Sequence, residues 1–354
     1  MPRTESVVEI EGRHLKLSNL AKVMYPEIGF TKAQVIDYYV RIAPALLPHL
    51  RDRPLTMKRY PGGVTGQFFY EKNCPTHRPE WVQTASVWSP GNNKWMKYCM
   101  VQDLPTLVWA ANLADIELHT SLSLANDVLR PTMIVFDLDP GEPANIVQCC
   151  QVGVWVRRIF DHFGMHCFPK TSGSKGLQIY VPLHTPVTYD ETKPFAHELA
   201  RMLERTHTDL VVSDMKKALR VGKIFVDWSQ NDDYKTTVCV YSLRAKNRPT
   251  VSTPVTWEEV EECLRRQDPG LLVFDSDQVL DRVQKSGDLF EPVLKLKQKL
   301  PAIGALSDAA SVVGGTASAR PATQAKRTAS AEERKLKHTQ GRRKVTRPKT
   351  ERAA

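Results

Sequence analysis

The most constraining feature of the sequence is a short apolar segment that carries two aspartates in alternate positions. Residues 134–141 read IVFDLDPG, a run of strand-forming residues stopped by a Pro-Gly pair. Because side chains at positions i and i+2 of a strand point to the same face, Asp137 and Asp139 present two carboxylates side by side. Phe136 and Leu138 fall on the opposite face and are expected in the core. The chain must therefore fold around a strand with one apolar and one acidic face.

Paired carboxylates on one face need a source of positive charge. Two like charges this close repel each other and raise a pKa unless a cation neutralises them. A hard divalent ion with oxygen ligands, Mg²⁺ or Mn²⁺, is the simple solution. A second apolar strand, residues 224–227 (IFVD), brings Asp227 to the start of a polar turn. Three carboxylates on neighbouring strands are typical of a two-metal site for phosphoryl transfer, although unrelated aspartates that cap turns would give the same pattern.

A glycine-rich turn supplies a second element of such a site. Residues 170–178 read KTSGSKGLQ and lie between two predicted strands. Glycines allow successive backbone N–H groups to approach an anion, and Ser172 and Lys175 offer further donors. The turn does not open a helix, so it is not a Walker loop, and a plain tight hairpin is the alternative interpretation. Combined with three carboxylates, the turn indicates a cradle for nucleotide phosphates.

The rest of residues 1–300 alternates strand and helix signals and predicts an α/β or α+β body. Thr31 is the expected N-cap of a helix with apolar residues at helical spacing, and residues 257–266 are expected to form a late helix. No stretch approaches the ~18 apolar residues of a membrane span. The N-terminus lacks the apolar region of a signal peptide, so secretion and membrane insertion are not expected.

The seven cysteines are predicted to be reduced thiols of a cytoplasmic protein. Their number is odd, no C-x-x-C pair occurs, and the adjacent Cys149 and Cys150 cannot readily bridge each other. Cys74 with His77 is at most half of a metal site, and a simple loop is the favoured interpretation.

Positive charge is concentrated at the C-terminal end. Residues 301–354 hold 12 Lys/Arg and 4 Asp/Glu, a net charge of +8, which leaves +2 of the total of +10 for residues 1–300. The segment has no Phe, Trp or Tyr and is rich in small polar residues, so it is predicted to be a disordered tail. Its basic clusters suit a polyanion, either as a nucleic-acid arm or as a solubilising extension.

In this order, the motifs FDLDPG, TSGSKGL-x-IYVPL, KIFVDWSQND and VYSLRA resemble the polymerase domain of bacterial ligase D, in the archaeo-eukaryotic primase-polymerase superfamily. The resemblance runs from about Leu17 to about Pro292. It implies a primase-polymerase-like fold, with central mixed and antiparallel sheets flanked by helices. It also implies templated transfer of nucleotides onto a 3′-OH, with ribonucleotides preferred over deoxyribonucleotides.

The resemblance assigns roles residue by residue. Asp137, Asp139 and Asp227 would hold two Mg²⁺ or Mn²⁺ ions and serve catalysis. The residues expected to contact the incoming nucleotide are Lys58, His119, Ser172, Lys175, Gln178, Gln230 and Arg244. A second pocket, formed by Asn19, Lys22 and Lys32, would hold the 5′-phosphate on the downstream side of a gap. Phe69 and Tyr70 match paired aromatics that stack on the template.

The sequence departs from this family pattern at three places. Gln178 stands where the family usually has histidine, and an amide cannot become cationic. The aromatic block reads FFYEK where FFEK is usual, which leaves open which of its rings stack. The segment of 17 residues between His119 and Asp137 is shorter than usual. Because the longer version helps to bring two broken ends together, end synapsis is put in doubt, whereas filling a gap on one template is not.

These observations lead to the hypothesis of a metal-dependent DNA repair polymerase that fills short gaps. The expected partners are gapped or broken DNA with a 5′-phosphate, NTPs or dNTPs, and a DNA ligase or Ku-type protein, in a nucleoid-associated bacterial setting. Three alternatives remain open: a primase that starts chains de novo, a non-catalytic module that binds gaps and recruits a ligase, and a metal-dependent nuclease.

Overall fold

The computed structural model describes residues 5–89 and 93–314. The helices in this part of the chain are α1 (Lys32–Leu50), α2 (Leu104–Asn112), α3 (Ile146–His162), α4 (Tyr189–Thr206), α5 (Trp257–Arg266), α6 (Ser276–Ser286), α7 (Pro292–Lys295) and α8 (Leu306–Ala309). Its strands are β1 (Glu5–Ile10), β2 (Arg13–Ser18), β3 (Val23–Tyr25), β4 (Phe30–Thr31), β5 (Leu55–Arg59), β6 (Phe69–Glu71), β7 (Thr84–Ser89), β8 (Lys94–Cys99), β9 (Asp115–Thr120), β10 (Ser123–Leu124), β11 (Asp127–Pro131), β12 (Met133–Pro140), β13 (Phe168–Thr171), β14 (Leu177–Pro182), β15 (Val211–Val212), β16 (Ile224–Asp227) and β17 (Thr237–Val238).

Two larger sheets form the centre of the fold. One has six strands in the order β17-β9-β5-β8-β7, with β6 beside β5, and the other has five in the order β13-β14-β12-β16-β15. All pairs are antiparallel except β15 and β16, which run parallel. The strands β1–β2, β3–β4 and β10–β11 form separate two-stranded ribbons. The expected fold of mixed and antiparallel sheets flanked by helices is confirmed.

Each large sheet is covered by its own helices and has its own hydrophobic core. Helices α1 and α2 pack against each other and belong to the core of the six-stranded sheet. Helix α3 covers β12 and β14, while α4 also packs against β12. Phe136 and Leu138 are completely buried in this second core, as the alternation along β12 predicts. The other face of β12 is thereby left for its two aspartates.

The helix starts follow the signals in the sequence. Thr31 caps α1, and its hydroxyl and backbone exchange hydrogen bonds with Gln34 in a capping box. Thr256 and Glu259 form the same arrangement at the start of α5. No helix among the described residues is long and apolar enough to cross a membrane.

The prediction of seven reduced thiols was wrong for one pair. Cys74 and Cys99 form a disulfide, with their Cα atoms 4.9 Å apart. The loop after β6 runs alongside β8, where the Cys74 N–H donates to the Lys97 carbonyl oxygen, and this brings the two thiols together. A pairing across 25 residues has no signature in the sequence because only the folded loop creates it. The other five cysteines are free and buried.

The packed body continues past residue 300, where the composition predicted a tail to begin. Short helical turns follow, and Leu306, Ala309 and Val313 are buried in the second core. The Nε2 atom of His207 lies 3.0 Å from the Val313 carbonyl oxygen. A few apolar residues at helical spacing outweigh the polar composition of the segment as a whole. The basic clusters predicted within residues 334–349 lie outside the described residues.

A buried asparagine extends the pairing of β12 beyond the end of β16. The Asn231 Oδ1 atom accepts a hydrogen bond from the Val135 N–H at 2.9 Å, and its Nδ2 atom donates to the Val135 carbonyl oxygen at 2.8 Å. The side-chain amide therefore replaces a peptide group of a neighbouring strand. Its Nδ2 atom also donates to the Trp228 carbonyl oxygen at 3.0 Å, which fixes the segment after Asp227 against β12.

We expect Asn231→Ala to destabilise the protein strongly. The change leaves the N–H and carbonyl of Val135 buried without partners, which should cost about 2–4 kcal/mol in the free energy of unfolding. Urea denaturation followed by circular dichroism measures this. The matched control is Asn73→Ala, which removes one exposed hydrogen bond to the Lys97 N–H and should cost at most about 1 kcal/mol. Equal losses in the two variants would contradict a special role for Asn231.

Candidate active site

Strand register brings the predicted carboxylates together. On β12, Asp137 lies directly opposite Asp227 of β16 on one side and opposite Gln178 of β14 on the other. Directly opposed residues of an antiparallel pair share a face of the sheet. Asp139 lies two positions along β12 on that same face. The three acids that the sequence places on separate segments therefore meet on one patch of one sheet.

The carboxylates are held in a destabilised state. Burial, and then the charge of Asp139, raise the pKa of Asp137 to about 8. Desolvation in the cleft, and then the charge of Asp227, also raise the pKa of Asp139. The Asp137 Oδ1 atom is buried and has no hydrogen-bond partner. A buried acceptor without a donor beside two further carboxylates has the chemistry of a cation site.

The third carboxylate is oriented by the turn that follows it. The Asp227 Oδ1 atom accepts from the Ser229 N–H at 2.9 Å and from its hydroxyl at 2.6 Å, while Oδ2 accepts from the Gln230 amide at 3.0 Å. The Lys235 ammonium donates in turn to the Ser229 hydroxyl oxygen at 2.6 Å. Asp227 is thus preorganised by its own loop, which places a lysine close to it.

The donor set suits a hard divalent cation, but it is not arranged as a finished chelate. Within residues 5–89 and 93–314, no group of three or more His, Cys, Asp or Glu side chains is placed to hold an ion. Asp227 points its oxygens at Ser229 and Gln230, whereas Asp137 keeps an oxygen unused. Carboxylate oxygens are the ligands that Mg²⁺ and Mn²⁺ prefer, and an ion here would relieve the repulsion between the acids.

A buried lysine completes the row of side chains across the sheet. Lys170 of β13 lies opposite Gln178 and is fully buried, and its ammonium donates to the Gln178 Oε1 atom and to the Ser252 hydroxyl. Burial lowers the pKa of Lys170 to about 7, against the opposing charge of Asp137. Because the Gln178 amide oxygen faces Lys170, its NH₂ group is left to donate a hydrogen bond to Asp137. This hydrogen bond favours the charged form of Asp137.

The glycine-rich turn packs tightly between the carboxylate strand and the chain around residue 251. Gly173 has a φ of +65°, and a Cβ there would lie 2.6 Å from the Val251 backbone. A Cβ on Gly176 would overlap the Leu138 carbonyl oxygen. These positions require glycine because the turn must approach β12 closely. The Ser172 hydroxyl accepts from the N–H groups of Ser174 and Gly176, so the turn is closed on its own side chain.

The cations of this wall have weak or partial partners. The Lys175 ammonium lies 2.6 Å from Glu142, and both side chains are largely exposed. An exposed ion pair of this kind contributes little to stability because water and salt screen it, so an anion of higher charge can displace Glu142. Arg244 donates through NH1 to the Ser172 carbonyl oxygen, which ties it to the turn while leaving further donors of its guanidinium available.

The facing wall belongs to the six-stranded sheet. Glu117 and His119 lie on the same face of β9, and the Glu117 Oε2 atom is 3.1 Å from His119 Nε2 and 3.3 Å from Lys58 Nζ. Arg244 Nε lies 3.3 Å from the same oxygen. Burial lowers the pKa of His119, and the hydrogen bond to Glu117 offsets this only in part. Three predicted nucleotide contacts are therefore joined through one carboxylate that the sequence analysis did not single out.

The two walls enclose a cleft of about 620 Å³. It brings together most of the predicted site: Tyr70, His119, Asp137, Asp139, Ser172, Lys175, Gln178, Gln230 and Arg244. Lys58 and Asp227 are not part of this lining but lie next to it. Lys58 contacts Glu117, and Asp227 pairs with Asp137 across the strands. Lys72 and Lys235 also line the cleft and were not predicted. Lys235 follows the strand end at Asp227 closely in sequence, which is the signal that could have found it.

The aromatic block divides between two faces of β6. Tyr70 lies opposite Lys58, lines the cleft and meets the His119 ring edge-on at 5.9 Å. Phe69 lies opposite Arg59 and has the guanidinium 5.2 Å from its ring centre. Phe68, Phe69 and Tyr70 are all substantially exposed. Exposed rings beside cations provide stacking surfaces for bases, although only Tyr70 reaches the cleft.

Asn19, Lys22 and Lys32 line a second, separate pocket of about 680 Å³. Asn19 adopts a left-handed conformation with φ of 55°, and its carbonyl accepts from the Lys22 N–H at 3.0 Å. The Lys22 ammonium donates to the Pro61 carbonyl oxygen, and the Lys32 ammonium donates to the Ser18 carbonyl oxygen at 2.7 Å. The two lysines converge because the β3–β4 ribbon leads directly into α1. His14, Lys16 and Arg59 add further positive or polar groups.

A cleft that joins three acids, a glycine-rich turn and facing cations defines an enzyme that acts on nucleotides. The sequence profile of the LigD primase-polymerase domain matches residues 31–290, and the chain belongs to that family. This domain is a nucleotidyltransferase of the polymerase type. The resemblance inferred from the motifs is confirmed.

Individual relatives agree with this assignment. The chain is 40% identical over 281 residues to the multifunctional non-homologous end joining protein LigD of Mycolicibacterium smegmatis, covering 79% of this chain and 36% of that protein. It is 32% identical over 274 residues to the bifunctional LigD of Bacillus subtilis, covering 77% and 43%. The chain thus spans roughly two-fifths of the length of these relatives.

A solved structure shares the fold. The polymerase domain from Mycobacterium tuberculosis ligase D, in complex with DNA, superposes with a TM-score of 0.74 at 37% identity. The match covers 80% of this chain and 99% of that domain.

We expect Asp137→Asn to stabilise the metal-free protein increasingly as the pH rises. The folded pKa of about 8 lies above the ordinary aspartate pKa of 3.8, so folding holds a proton that the unfolded chain releases. The wild type therefore loses stability between these two pKa values, by about 1.4 kcal/mol per pH unit, and the neutral amide does not. Melting temperatures of both proteins in a chelator, from pH 5 to 8, measure the difference.

Addition of Mn²⁺ should then raise the melting temperature of the wild type but not that of the Asp137→Asn variant. Asp281→Asn, on the exposed surface of α6, serves as the matched control and should follow the wild type in both series. A parallel pH dependence of wild type and Asp137→Asn would contradict the destabilised carboxylate pair.

Proposed function

We propose that the protein is a DNA repair polymerase that adds nucleotides to a 3′-OH and fills short gaps. The observation that carries the proposal is the register of β12, which places Asp137 opposite Asp227 on the face that closes one cleft with the glycine-rich turn. The DNA-bound relative and the end-joining relatives support DNA as the substrate.

Asp137, Asp139 and Asp227 would hold two divalent cations. Bound there, Mg²⁺ or Mn²⁺ would favour ionisation of the primer 3′-OH and neutralise charge that develops at the α-phosphate. The protein itself contributes position: Ser229 and Gln230 fix Asp227, while Gln178 and the buried Lys170 support Asp137. The three carboxylates are thus held on rigid strands rather than on mobile loops.

The opposite charges in the cleft would receive the incoming nucleotide. Lys175 exchanges its exposed partner Glu142 for phosphate, and Arg244 offers the guanidinium donors that Ser172 leaves available. Ser172 can turn its hydroxyl from the amides of its own turn towards the same phosphates. His119, which by family resemblance would lie near the sugar of the nucleotide, meets the Tyr70 ring edge-on in the cleft.

The second pocket would bind the downstream 5′-phosphate of the gap. A terminal phosphate carries more charge than a diester, which two converging lysines favour. The pocket is separate from the cleft, and Arg59 of β5 belongs to its lining while Lys58, next in the chain, contacts Glu117 near the cleft. The strand β5 thus contributes residues to both pockets, and a gapped strand would extend from one pocket to the other.

The wider setting is inferred from the relatives. A ligase or a Ku-type protein is the partner class that end-joining relatives indicate, and a nucleoid-associated role in the bacterial cytoplasm is consistent with them. The net charge of +8 in residues 301–354 suits a sequence-independent grip on DNA.

The decisive experiment is primer extension on a gapped duplex in Mg²⁺ or Mn²⁺, comparing NTPs with dNTPs. We expect metal-dependent extension that favours NTPs, and its loss in the combined Asp137→Ala and Asp139→Ala variant, which should still bind the gap. Tight binding without extension in either metal would favour a recruiting module. Dinucleotide synthesis without a primer would indicate a primase, and shortened DNA in the absence of nucleotides would indicate a nuclease.

Lys22→Ala should reduce the preference for a gap that carries the 5′-phosphate. The lost charge–phosphate contact should weaken binding of the phosphorylated gap by about tenfold, with little change for the unphosphorylated gap. Fluorescence anisotropy with the two substrates measures both affinities. Lys285→Ala, an exposed lysine on α6, is the matched control. Equal affinity of the wild type for the two gaps would overturn the phosphate pocket.

A further inference from the structure

A single buried carboxylate lies behind the cations of the cleft. Glu117 has a side chain only 2% exposed, whereas those of Lys58, His119 and Arg244 are 12–14% exposed. The carboxylate is therefore covered by the three side chains, and His119 and Arg244 line the cleft itself. A nucleotide that enters the cleft meets the cations before it can meet Glu117.

All three side chains converge on the same oxygen. Glu117 Oε2 lies 3.1 Å from His119 Nε2 and 3.3 Å from both Lys58 Nζ and Arg244 Nε. The other oxygen, Oε1, accepts from the Tyr60 hydroxyl at 3.3 Å and from the Ala245 N–H at 3.1 Å. The carboxylate thus cannot turn, because both of its oxygens are fixed by groups from different elements.

The charge state of Glu117 agrees with this geometry. Although burial by itself raises the pKa of its carboxyl, the His119 hydrogen bond and the charges of Arg244 and Lys58 hold it well below the usual range. An ionised carboxylate can only accept hydrogen bonds, so His119 must donate through Nε2. The ring orientation and the proton position of His119 both follow from Glu117.

We propose that Glu117 is a positioning residue that fixes Lys58, His119 and Arg244 in the arrangement that grips the triphosphate of the incoming nucleotide. The proposal rests on the function proposed above and adds a residue to it. Without the carboxylate, the positive groups of Lys58 and Arg244 repel each other, and His119 loses the acceptor that orients its ring. The gain from preorganisation should exceed the competition of Glu117 with phosphate, because the carboxylate lies beneath the cations and not between them and the cleft.

Whether removal of the carboxylate weakens or tightens nucleotide binding distinguishes a positioning role from simple charge cancellation. A carboxylate that merely neutralised positive charge would compete with the nucleotide, and its removal would tighten binding. A positioning carboxylate has the opposite effect, and Glu117→Gln should weaken binding of an NTP by about tenfold or more. The matching nucleoside monophosphate lacks the phosphates that these cations grip, so its affinity should change by less than about threefold.

Asp115→Asn is the matched control. Asp115 lies two residues before Glu117 on β9 and is equally buried, but it pairs with Arg59 instead of Lys58, and neither of its oxygens has a hydrogen-bond partner. Burial raises the pKa of Asp115 well above its ordinary value, so the amide closely mimics its protonated form. Its NTP affinity should equal that of the wild type.

The experiment is calorimetric titration of the full chain with an NTP and with the monophosphate in Mg²⁺, alongside melting temperatures and binding of gapped DNA. Unchanged or tighter NTP binding by Glu117→Gln would overturn the proposal, as would equal losses for the NTP and the monophosphate, which would indicate general disruption. If Glu117→Gln does not fold, Glu117→Asp, which keeps the charge on a shorter side chain, should show a smaller loss in the same direction.

The two proposals fail in different ways. A wild type that binds the NTP but never extends a primer would overturn the polymerase function and leave the Glu117 comparison intact. A wild type that binds no NTP would overturn both.

Discussion

The structure of the site depends on the antiparallel register of β12 between β14 and β16. One face of β12 buries Phe136 and Leu138 against α3, which forces Asp137 and Asp139 to the other face. A slip of one residue would place the acids in the hydrophobic core, where their charge could not be compensated. The apolar face therefore fixes the acidic face, and Asp227 joins it through direct pairing with Asp137.

The two walls of the cleft carry opposite excess charge. The five-stranded sheet presents carboxylates whose pKa values are raised, with Lys170 as a buried cation at one end of the row. The six-stranded sheet presents Lys58 and His119 around one buried carboxylate, Glu117, which Arg244 also contacts from the chain after β17. A divalent cation would balance the carboxylates of one wall, and a nucleotide triphosphate would balance the positive groups of the other. Such complementarity in a partly desolvated cleft favours preorganised nucleotidyl transfer.

Sequence patterns singled out residues that the structure brings together where a residue's position follows from its own strand. Alternation along β12 and the glycine-rich turn were visible in a single segment, and the cleft unites both. The patterns missed what depends on contacts between distant segments. Glu117 contacts both Lys58 and Arg244 only because β5 and the chain around Arg244 pack beside β9. Cys74 lies next to Cys99 only because of the path of the loop after β6. The composition predicted a tail from residue 301, whereas Leu306 is buried in the second core. An average composition of residues 301–354 hides the few apolar residues at their start.

The sequence by itself determined the family, the identity of the acids and the face of β12 that they occupy, because periodicity and motif order are local properties of the chain. Only the tertiary structure decided which strands neighbour β12, how Asn231 and Lys170 support it, and which cations share one carboxylate. Those outcomes depend on contacts between segments that lie far apart in the sequence. Such pairing is a long-range choice that no single segment encodes, and it converts separate motifs into one cleft.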